Sequence, residues 1–301
     1  MTLGMARKII AGIVTYNDYD LLENLIQSLS RQSVDIYHYI IIDNSDNCYQ
    51  HKLLQKFQGN KFTIIQNPKN NGSAGGFKQI LELAIKKGDF LWTLDQDIEF
   101  SENALFHLIE RYKEISSTEE SKNIAVVRSW YKDSHTSKSW YVEEFPWRGA
   151  LFNLKLIPEN CLPDEGLFLY ACDIDYSYKL AKHGLKFIVE PKSVMKESQK
   201  SIFLKTYLWN GEIEYYESPL RLYYSIRNGI ITYIKHSKFK KLIKLLKDSI
   251  KIFFAIRVDG YPYSKIRQKI LIRAIKDGFF FNSGKSNYLN KKLISIENSY
   301  N

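Results

Sequence analysis

Cysteine is scarce in this sequence, and its spacing indicates neither a disulfide framework nor a structural zinc site. The chain contains three cysteines, Cys48, Cys161 and Cys172, without any C-x-x-C pair, whereas both kinds of framework need paired or clustered cysteines. Long apolar runs are also lacking. No stretch approaches the roughly 20 residues of a spanning helix, and the run over residues 9–14 is too short for a signal-peptide core. We therefore expect a soluble or peripheral protein in a reducing cytosol.

Positive charge is abundant but unevenly placed. Between residues 234 and 276 there are thirteen Lys or Arg and two acids, a net charge of +11 against +10 for the whole chain. The rest of the chain is therefore nearly neutral. This asymmetry indicates an anionic partner for the C-terminal end, either nucleic acid or an anionic membrane surface.

The first half alternates strand patterns with helix patterns. With 45% hydrophobic residues among 301, the chain can bury the core of one large domain, or of a domain with an appendage. Strands are predicted over residues 9–15, 39–43, 62–65 and 90–94, one helix after Asn17 or Asp18, and another from Gly75-Gly76. This order, with short connections, predicts a parallel α/β sheet covered by helices.

Polar clusters follow these strands, at the edge where α/β sheets bind ligands. They are Thr15-Tyr16-Asn17, Asp43-Asn44-Ser45, Asn71-Gly72-Ser73-Ala74-Gly75-Gly76 and Asp95-Gln96-Asp97. Taken alone, each is better explained without a ligand, as a helix cap, a polar turn or a flexible loop. Four on successive strand ends favour a ligand site. Glycines allow the backbone to approach a diphosphate, and carboxylates two residues apart suit Mg²⁺ or Mn²⁺.

In this order the clusters resemble the successive motifs of inverting family 2 glycosyltransferases with a GT-A fold. The resemblance rests on Val14-Thr15-Tyr16-Asn17, Ile42-Asp43-Asn44-Ser45, Asn71-Gly72-Ser73-Ala74-Gly75-Gly76-Phe77 and Leu94-Asp95-Gln96-Asp97. Within the family it is strongest to the rhamnosyltransferase and galactofuranosyltransferase branch. It implies an α/β GT-A domain with a Rossmann-like mixed sheet over residues 1–205, and a helical, basic C-terminal region over residues 206–301.

The resemblance also implies roles for these residues. The base and ribose of a nucleotide-diphosphate sugar would be bound by Thr15, Tyr16, Asn17 and Asp43. The same donor would be contacted by the stretch that contains Asn71, Gly72, Gly75 and Gly76. Asp95 would lie near the ribose or sugar, and Asp97 would bind a divalent ion, Mg²⁺ or Mn²⁺, on the diphosphate. The implied reaction moves rhamnose, galactofuranose or a similar sugar to a glycan or lipid-linked glycan in cell-surface polysaccharide biosynthesis.

A second acidic motif supplies the expected catalytic base. Residues 167–170 are predicted as an apolar strand that delivers Asp173 and Asp175 to the start of a helix. Inverting transfer needs a carboxylate that takes the proton of the acceptor hydroxyl. The resemblance places this base at Asp173 and implies that Asp175 binds the acceptor hydroxyls. The alternative for either carboxylate is an N-terminal helix cap.

Aromatic and basic residues elsewhere suggest further contacts. Trp147 suits stacking on a sugar, here assigned to the acceptor, and its alternative is an ordinary core aromatic. Gly149 allows close approach of the donor sugar, and Arg148 could contact phosphate. Arg227, followed by Asn228, resembles a Tyr-Tyr-x-x-Arg-Asn pattern of the same branch, which implies support of the active site or contact with the diphosphate.

One departure from the family concerns the metal. Relatives often carry a metal-binding histidine shortly after the acidic motif, where this chain has Val194-Met195-Lys196-Glu197-Ser198. Two readings stay open: Glu197 replaces the histidine, or Lys196 offsets the diphosphate charge without a metal. Metal dependence is therefore less firmly implied than the fold.

The basic region contains an amphipathic helix pattern. Its apolar residues, Phe239, Leu242, Ile243, Leu246, Ile250 and Phe253, recur on one face, with lysines largely on the other. This pattern suits the surface of an anionic membrane. We therefore expect a cytoplasmic protein that is peripheral on the cytoplasmic face of the membrane. The alternative is a solvated helix that packs on the catalytic domain, which would show the same pattern. No nucleic-acid motif is present, so nucleic acid is not the expected partner.

Two other functions compete with sugar transfer. One is a dinucleotide-dependent oxidoreductase that uses the glycine-rich stretch, which is disfavoured because no G-x-G-x-x-G follows the first strand. The other is a catalytically silent, membrane-associated protein that keeps the nucleotide-sugar site. Binding of NAD would favour the first, and donor binding without transfer would favour the second.

Overall fold

A computed structural model of the chain describes residues 7–45, 57, 59–116, 122–131, 136, 138–198, 203–208, 211–260 and 263–289. The chain forms two compact units. The first comprises Met1–Asp164 and Tyr176–Gln199, and the second comprises Glu165–Asp175 and Lys200–Asn301. Cys161 and Cys172 are buried free thiols, and Cys48 lies outside the described residues.

The first unit is built on a mixed sheet that has nine strands among the described residues. These are β1 (Ile9–Thr15), β2 (His38–Asp43), β3 (Phe62–Gln66), β4 (Phe90–Asp95), β5 (Ile98–Phe100), β6 (Ile124–Tyr131), β7 (Trp140–Val142), β8 (Ala150–Asn153) and β9 (Lys186–Glu197). Their order is β3-β2-β1-β4-β8-β6-β9-β5, and β7 pairs with β9. Strands β1 to β4 are parallel, whereas β8 is antiparallel to β4 and β6. The expected α/β fold with a mixed sheet is confirmed.

Four helices accompany this sheet: α1 (Tyr19–Ser30), α2 (Gly72–Ala84), α3 (Ala104–Ser116) and α4 (Cys172–Lys182). The first four residues of α4, through Asp175, belong to the second unit. Asp18 caps α1, because its Oδ1 accepts a hydrogen bond from the Leu21 N–H at 3.1 Å. Helix α2 begins at Gly72, earlier than the predicted Gly75, and Gly72 has a left-handed φ of 69°. The starts of α1 and α2 lie beside the carboxyl ends of β1 and β2.

The second unit combines three helices with a hairpin. The helices are α5 (Pro219–Lys235), α6 (Phe239–Val258) and α7 (Ser264–Phe279). The hairpin, which the sequence patterns do not predict, pairs β10 (Phe203–Leu208) with β11 (Gly211–Tyr216). Within this helical core the buried Asp277 carboxylate accepts hydrogen bonds from Tyr223 Oη (2.6 Å), Arg273 Nε (2.9 Å) and Asn282 Nδ2 (2.9 Å). The expected helical C-terminal region is confirmed.

The predicted strand over residues 167–170 is wrong. Glu165–Leu167 form a single 3-10 turn, and Phe168, Tyr170 and Ala171 have left-handed φ values of 64°, 61° and 55°. The carbonyl oxygens of this loop do not pair with a strand. They accept hydrogen bonds from Asn228 Nδ2 instead, at 2.7 Å for Leu167 and 3.0 Å for Tyr170. Side chains of α5 thus replace the ladder that a strand would need.

None of the helices that the structure describes combines the length and the apolar character required to cross a membrane.

Candidate active site

The carboxyl ends of β1 and β2 bring the first two polar clusters together. Thr15 and Asp43 are in register on these parallel strands. Asp43 is buried, with 1% of its surface exposed, and its carboxylate accepts hydrogen bonds from the Ser45 N–H (2.9 Å) and from Tyr19 Oη (3.0 Å). Ser45 Oγ in turn accepts from the Asn17 N–H at 2.8 Å. The structure therefore holds a carboxylate rigidly at this edge, as a ribose or base contact would require.

Gln96, which no sequence pattern singles out, connects the ends of β1 and β4. Its Oε1 accepts hydrogen bonds from Thr15 Oγ1 (2.5 Å) and the Tyr16 N–H (2.7 Å), and its Nε2 donates to the Tyr16 carbonyl oxygen (3.1 Å). The Tyr16 side chain is 44% exposed. Gln96 therefore fixes the backbone of Tyr16 while the phenol ring faces outward. The sequence indicates this role of Gln96 only by its position between two carboxylates at the end of a strand.

Asn44 ties the loop after β2 to the glycine-rich start of α2. Its Nδ2 donates to the Gly72 carbonyl oxygen at 2.9 Å, and its Oδ1 accepts from Asn67 Nδ2 at 2.8 Å and from the Asn71 N–H at 3.4 Å. Because Asn44 is buried, these bonds replace water and hold the start of α2 at the site. The first N–H groups of a helix have no intrahelical partner and point to where an anion binds.

Two of the α2 glycines have a packing role. A Cβ on Gly76 would lie 2.7 Å from Val14 Cγ2, and one on Gly75 would lie 2.9 Å from Asn71 Cβ. Such contacts are too short for any larger residue, so Gly76 lets α2 approach β1 closely. The assignment of Gly75 and Gly76 to the donor stays a prediction, as it does for Asn71 and Gly72.

An acidic corner, formed by Asp95 and Glu197, lies at the ends of β4 and β9, and Arg148 enters it. Arg148 Nε is 3.5 Å from Asp95 Oδ2, and its Nη1 pairs with Glu197 Oε1. Tyr131 Oη also donates to Glu197 Oε1, at 3.3 Å. The Ser198 N–H donates to the Asp97 carbonyl oxygen at 2.8 Å, so the two strand ends are joined. The direction of Arg148, which the sequence leaves open, is toward these carboxylates.

Gly149 explains how Arg148 reaches the corner. It has a left-handed φ of 68°, and a Cβ there would lie 3.0 Å from Ser129 Cβ and from Met195 Sδ. Its N–H donates to the Thr93 carbonyl oxygen (2.9 Å), and its carbonyl oxygen accepts from the Ser129 N–H (2.8 Å). A tight turn that only glycine fits therefore anchors the backbone next to Arg148. Contact of Gly149 with a donor sugar stays a prediction.

The carboxylates of the acidic corner are paired with Arg148 and do not form a metal cage of their own. Across the described ranges, no group of three or more His, Cys, Asp or Glu is arranged to hold a metal ion. Mg²⁺ on a nucleotide is usually held by one or two carboxylates together with phosphate oxygens. Both carboxylates of the corner pair with Arg148. Glu197, the open replacement for the missing histidine, is thus a partner of a cation. Metal binding by Asp97 stays a prediction.

Trp147 lies in the core of the first unit. It is 4% exposed, stacks on Phe77 with ring centroids 4.7 Å apart, and stacks on Tyr176 at 5.3 Å. These contacts occupy the faces of the indole ring that a sugar would need. They favour the core-aromatic alternative, and acceptor binding by Trp147 stays a prediction.

The second unit holds the acidic motif at the start of α4. Asp173 is half-buried in the first turn, and its Oδ1 accepts from the Ile174 N–H at 2.9 Å. Asp175 is fully buried, and its Oδ1 lies 2.8 Å from His236 Nε2 and 3.0 Å from Lys235 Nζ. Asp175 is thus held by the end of α5, which favours a positioning role. Asp173 keeps the partial exposure that a base needs.

Arg227 is also buried in the second unit. Its guanidinium donates to the carbonyl oxygens of Gly284 (2.7 Å) and Leu167 (3.1 Å), and it lies over the Tyr224 ring at 4.7 Å. These contacts favour the supporting role over contact with the diphosphate. Direct contact with the donor stays a prediction.

Solved structures with the same architecture are glycosyltransferases of the GT-A class. GalNAc-T7 with UDP, GalNAc and Mn²⁺ is 13% identical, with a TM-score of 0.56 over 91% of this chain, which spans 56% of that chain's length. The mannosyltransferase PcManGT from Pyrobaculum calidifontis, with GDP-Man and Mn²⁺, is 12% identical, with a TM-score of 0.55 over 99% of this chain and 82% of its own. S. aureus TarS 1-349 is 14% identical, with a TM-score of 0.54 over 90% and 80%. At these identities the similarity shows the fold alone.

The family follows from the sequence. The family model described as Glycosyl transferase family 2 matches residues 11–164, more than half of the chain. The chain therefore belongs to glycosyl transferase family 2 and is a glycosyltransferase. A comparison with curated proteins gave no match. The rhamnosyltransferase and galactofuranosyltransferase branch stays a prediction.

Proposed function

We propose that this glycosyltransferase moves a sugar from a nucleotide-diphosphate donor to an acceptor hydroxyl by single displacement, with inversion at the anomeric carbon. The observation that carries the proposal is the row of polar groups at the carboxyl ends of β1, β2 and β4 in a chain of this family. In α/β sheets this edge is where ligands bind. GalNAc-T7 with UDP and PcManGT with GDP-Man are further support, since they share the fold.

Different residues of the first unit bind different parts of the donor. Asp43 accepts hydrogen bonds from the ribose or base, beside the backbone of Thr15 and Asn17. The exposed Tyr16 ring packs on the nucleoside. The diphosphate faces the first N–H groups of α2.

Asp173 acts as the base of the reaction. Its carboxylate takes the proton of the acceptor hydroxyl as that oxygen bonds to the anomeric carbon. The bond from the anomeric carbon to the diphosphate oxygen breaks, and its electron pair leaves with the nucleoside diphosphate. Asp175 positions the start of α4 through His236 and Lys235. A glycan or lipid-linked glycan is the proposed acceptor, and rhamnose or galactofuranose the proposed sugar.

Titration calorimetry with UDP, GDP, dTDP and NAD tests the donor site. Asp43→Asn replaces one acceptor oxygen by an amide donor, and should weaken nucleoside diphosphate binding about 10- to 100-fold, the loss of one hydrogen bond to a charged group. Asp35→Asn is the matched control, because the Asp35 side chain is 84% exposed and pairs only at the surface with Lys61. Binding of NAD with none of the nucleoside diphosphates would favour the oxidoreductase instead.

Transfer itself is tested with Asp173→Asn. The variant should bind the same nucleoside diphosphate as the wild type but lose turnover by orders of magnitude, because an amide cannot accept the proton. Turnover is followed by release of the nucleoside diphosphate in the presence of a donor and a glycan panel. Unchanged turnover would remove Asp173 from the mechanism.

We also propose that α6 rests on an anionic membrane. The sequence pattern predicts one apolar face, but the helix has apolar residues on two sides. Leu242, Ile252 and Ile256 are buried in the unit, whereas Phe239 and Ile250 are each 58% exposed. Ile243, Phe254 and Val258 continue the exposed stripe, at spacings that keep it on one face of the helix.

Charge favours a lipid surface as the occupant of this stripe. The exposed lysines Lys240, Lys244, Lys247 and Lys251 border it. Exposed aromatic and aliphatic side chains beside lysines suit the interface of a bilayer with anionic headgroups. A lipid-linked acceptor and attachment to the cytoplasmic face of a membrane are consistent with this proposal.

Vesicle co-sedimentation tests the membrane surface. The wild type should pellet with vesicles that contain phosphatidylglycerol, less with pure phosphatidylcholine, and less at high salt. Phe254→Ser should reduce binding, whereas Phe106→Ser, at an exposed aromatic of α3 in the first unit, should not. Equal loss for the two variants, or no pelleting of the wild type, would contradict the proposal.

A further inference from the structure

Arg148 occupies the position where the acidic corner would otherwise offer its carboxylates to a cation. Its side chain is 31% exposed, and the side chains of Asp95 and Glu197 are 30% and 20% exposed. The guanidinium is therefore neither in the core nor freely solvated. It stays at the rim of the site with two carboxylates as partners, and solvent reaches it from outside.

The local backbone fixes the position of Arg148. The Gly149 N–H and carbonyl oxygen are bonded to β4 and β6, and the turn has no room for a Cβ. Arg148 therefore projects from a fixed turn and not from a mobile loop. Tyr131 additionally orients Glu197. Both the guanidinium and its carboxylate partner have their directions set by neighbours in the first unit.

Electrostatics explains why a cation is needed here. A nucleoside diphosphate brings at least two negative charges, and Asp95 and Glu197 would repel it if they stood alone. A guanidinium is always charged, carries five donors in one plane, and matches phosphate oxygens in a bidentate manner. It can hold carboxylates on one edge and phosphate on another. A lysine in its place would offer only a point charge.

We propose that Arg148 binds the donor diphosphate and supplies the positive charge that a divalent ion would bring, so that donor binding is independent of added metal. Asp95 and Glu197 position the guanidinium. As the bond from the anomeric carbon to the diphosphate oxygen breaks, its electron pair moves onto that oxygen, and Arg148 stabilises the resulting charge. The acceptor proton goes to the carboxylate base. This inference rests on the proposed function.

Titration calorimetry with UDP, GDP and dTDP, in excess chelator and again with Mn²⁺, tests the inference. The wild type should bind the preferred nucleotide with the same Kd in both conditions. Arg148→Gln should weaken the Kd in chelator about 10- to 100-fold, and Arg148→Lys should lose less. Lys196→Gln tests the rival reading, in which Lys196 offsets the diphosphate charge. Lys192→Gln is the matched control, because Lys192 is an exposed lysine on the same strand, β9. It should bind like the wild type.

Each outcome bears on a different claim. Binding that requires Mn²⁺ and survives Arg148→Gln overturns the role of Arg148 but leaves the proposed function standing. A Lys196→Gln defect with an intact Arg148→Gln protein moves the role to Lys196. Absence of nucleotide binding under both conditions contradicts the proposed function itself. If Arg148→Gln fails to fold, as judged by circular dichroism, the wild-type comparison between chelator and Mn²⁺ still decides.

Discussion

Arg227→Lys is the substitution that separates a supporting role from a donor contact. The loop before the proposed base contains three residues with left-handed φ, Phe168, Tyr170 and Ala171, and each costs about 1–2 kcal/mol. Arg227 offsets part of this cost by donating to the carbonyl oxygens of Leu167 and Gly284. Arg227 and Asn228 Nδ2 therefore hold the shape of the loop together.

The expected magnitude follows from the contacts. A hydrogen bond from a charged donor contributes about 1.5–3 kcal/mol, and lysine keeps one of the two carbonyl partners of Arg227. Loss of the other, with the contact to the Tyr224 ring at 4.7 Å, gives a destabilisation of about 2–4 kcal/mol. A typical domain has about 5–15 kcal/mol of stability, so the variant should still fold.

Urea denaturation and calorimetry together decide the matter. If Arg227 supports the loop, the variant loses stability and turnover, because Asp173 is displaced, while its Kd for the nucleoside diphosphate stays at the wild-type value. Asn228→Ala, which removes donors to the same loop, should behave alike. A raised Kd with unchanged stability would refute this reasoning and place Arg227 on the diphosphate.

Three further substitutions test the packing around the site and the second unit. Gly76→Ala places a Cβ 2.7 Å from Val14 Cγ2, so we expect a loss of about 1–3 kcal/mol by thermal melting, which Val14→Ala should partly restore. Asn44→Ala, which removes two buried hydrogen bonds and one part-buried one, should cost about 2–3 kcal/mol and weaken nucleotide binding. Burial raises the pKa of Asp277, but hydrogen bonds from its three neighbours outweigh this and lower it. The ionised Asp277 therefore stabilises the fold above the pKa of the unfolded carboxyl, and this stabilisation is lost as pH falls through the pKa of the folded state. In urea titrations, Asp277→Asn should be less stable than the wild type at neutral pH, and the two stabilities should approach each other below pH 3.8.

Local patterns were sufficient for the parallel part of the sheet. The apolar run of β1, the buried run of β4 and the helical spacing in α1 each reflect a short-range periodicity that the fold preserves. The polar clusters at strand ends were predictable for the same reason, because parallel strands place their carboxyl ends at one edge. Thr15 and Asp43 accordingly meet in register.

Features that depend on distant partners could not be predicted. The apolar Phe168, Leu169 and Tyr170 have the composition of a strand, yet they pack in the core of the second unit from a left-handed loop. Asn228, far along the chain, supplies the hydrogen bonds that make this possible. A strand pattern cannot reveal such a partner.

The acidic corner shows the same limit. Arg148 comes from the turn before β8, Asp95 ends β4 and Glu197 ends β9, so their meeting depends on antiparallel and long-range strand pairing. The sequence shows that the histidine is missing at this position, but it does not show that the Arg148 guanidinium pairs with Glu197 there. The sequence offers Arg148 as a possible phosphate contact but does not fix its direction, and neither open reading, Glu197 as a ligand or Lys196 as a charge partner, pairs it with Glu197.

A crystal structure of the protein with its preferred nucleoside diphosphate tests both the donor site and the role of Arg148. We expect the nucleoside against Tyr16 and Asp43 at the ends of β1 and β2, with the diphosphate within hydrogen-bond distance of the Arg148 guanidinium. A nucleotide bound away from these strand ends, or one held at them through a metal ion with Arg148 turned away, would contradict this expectation.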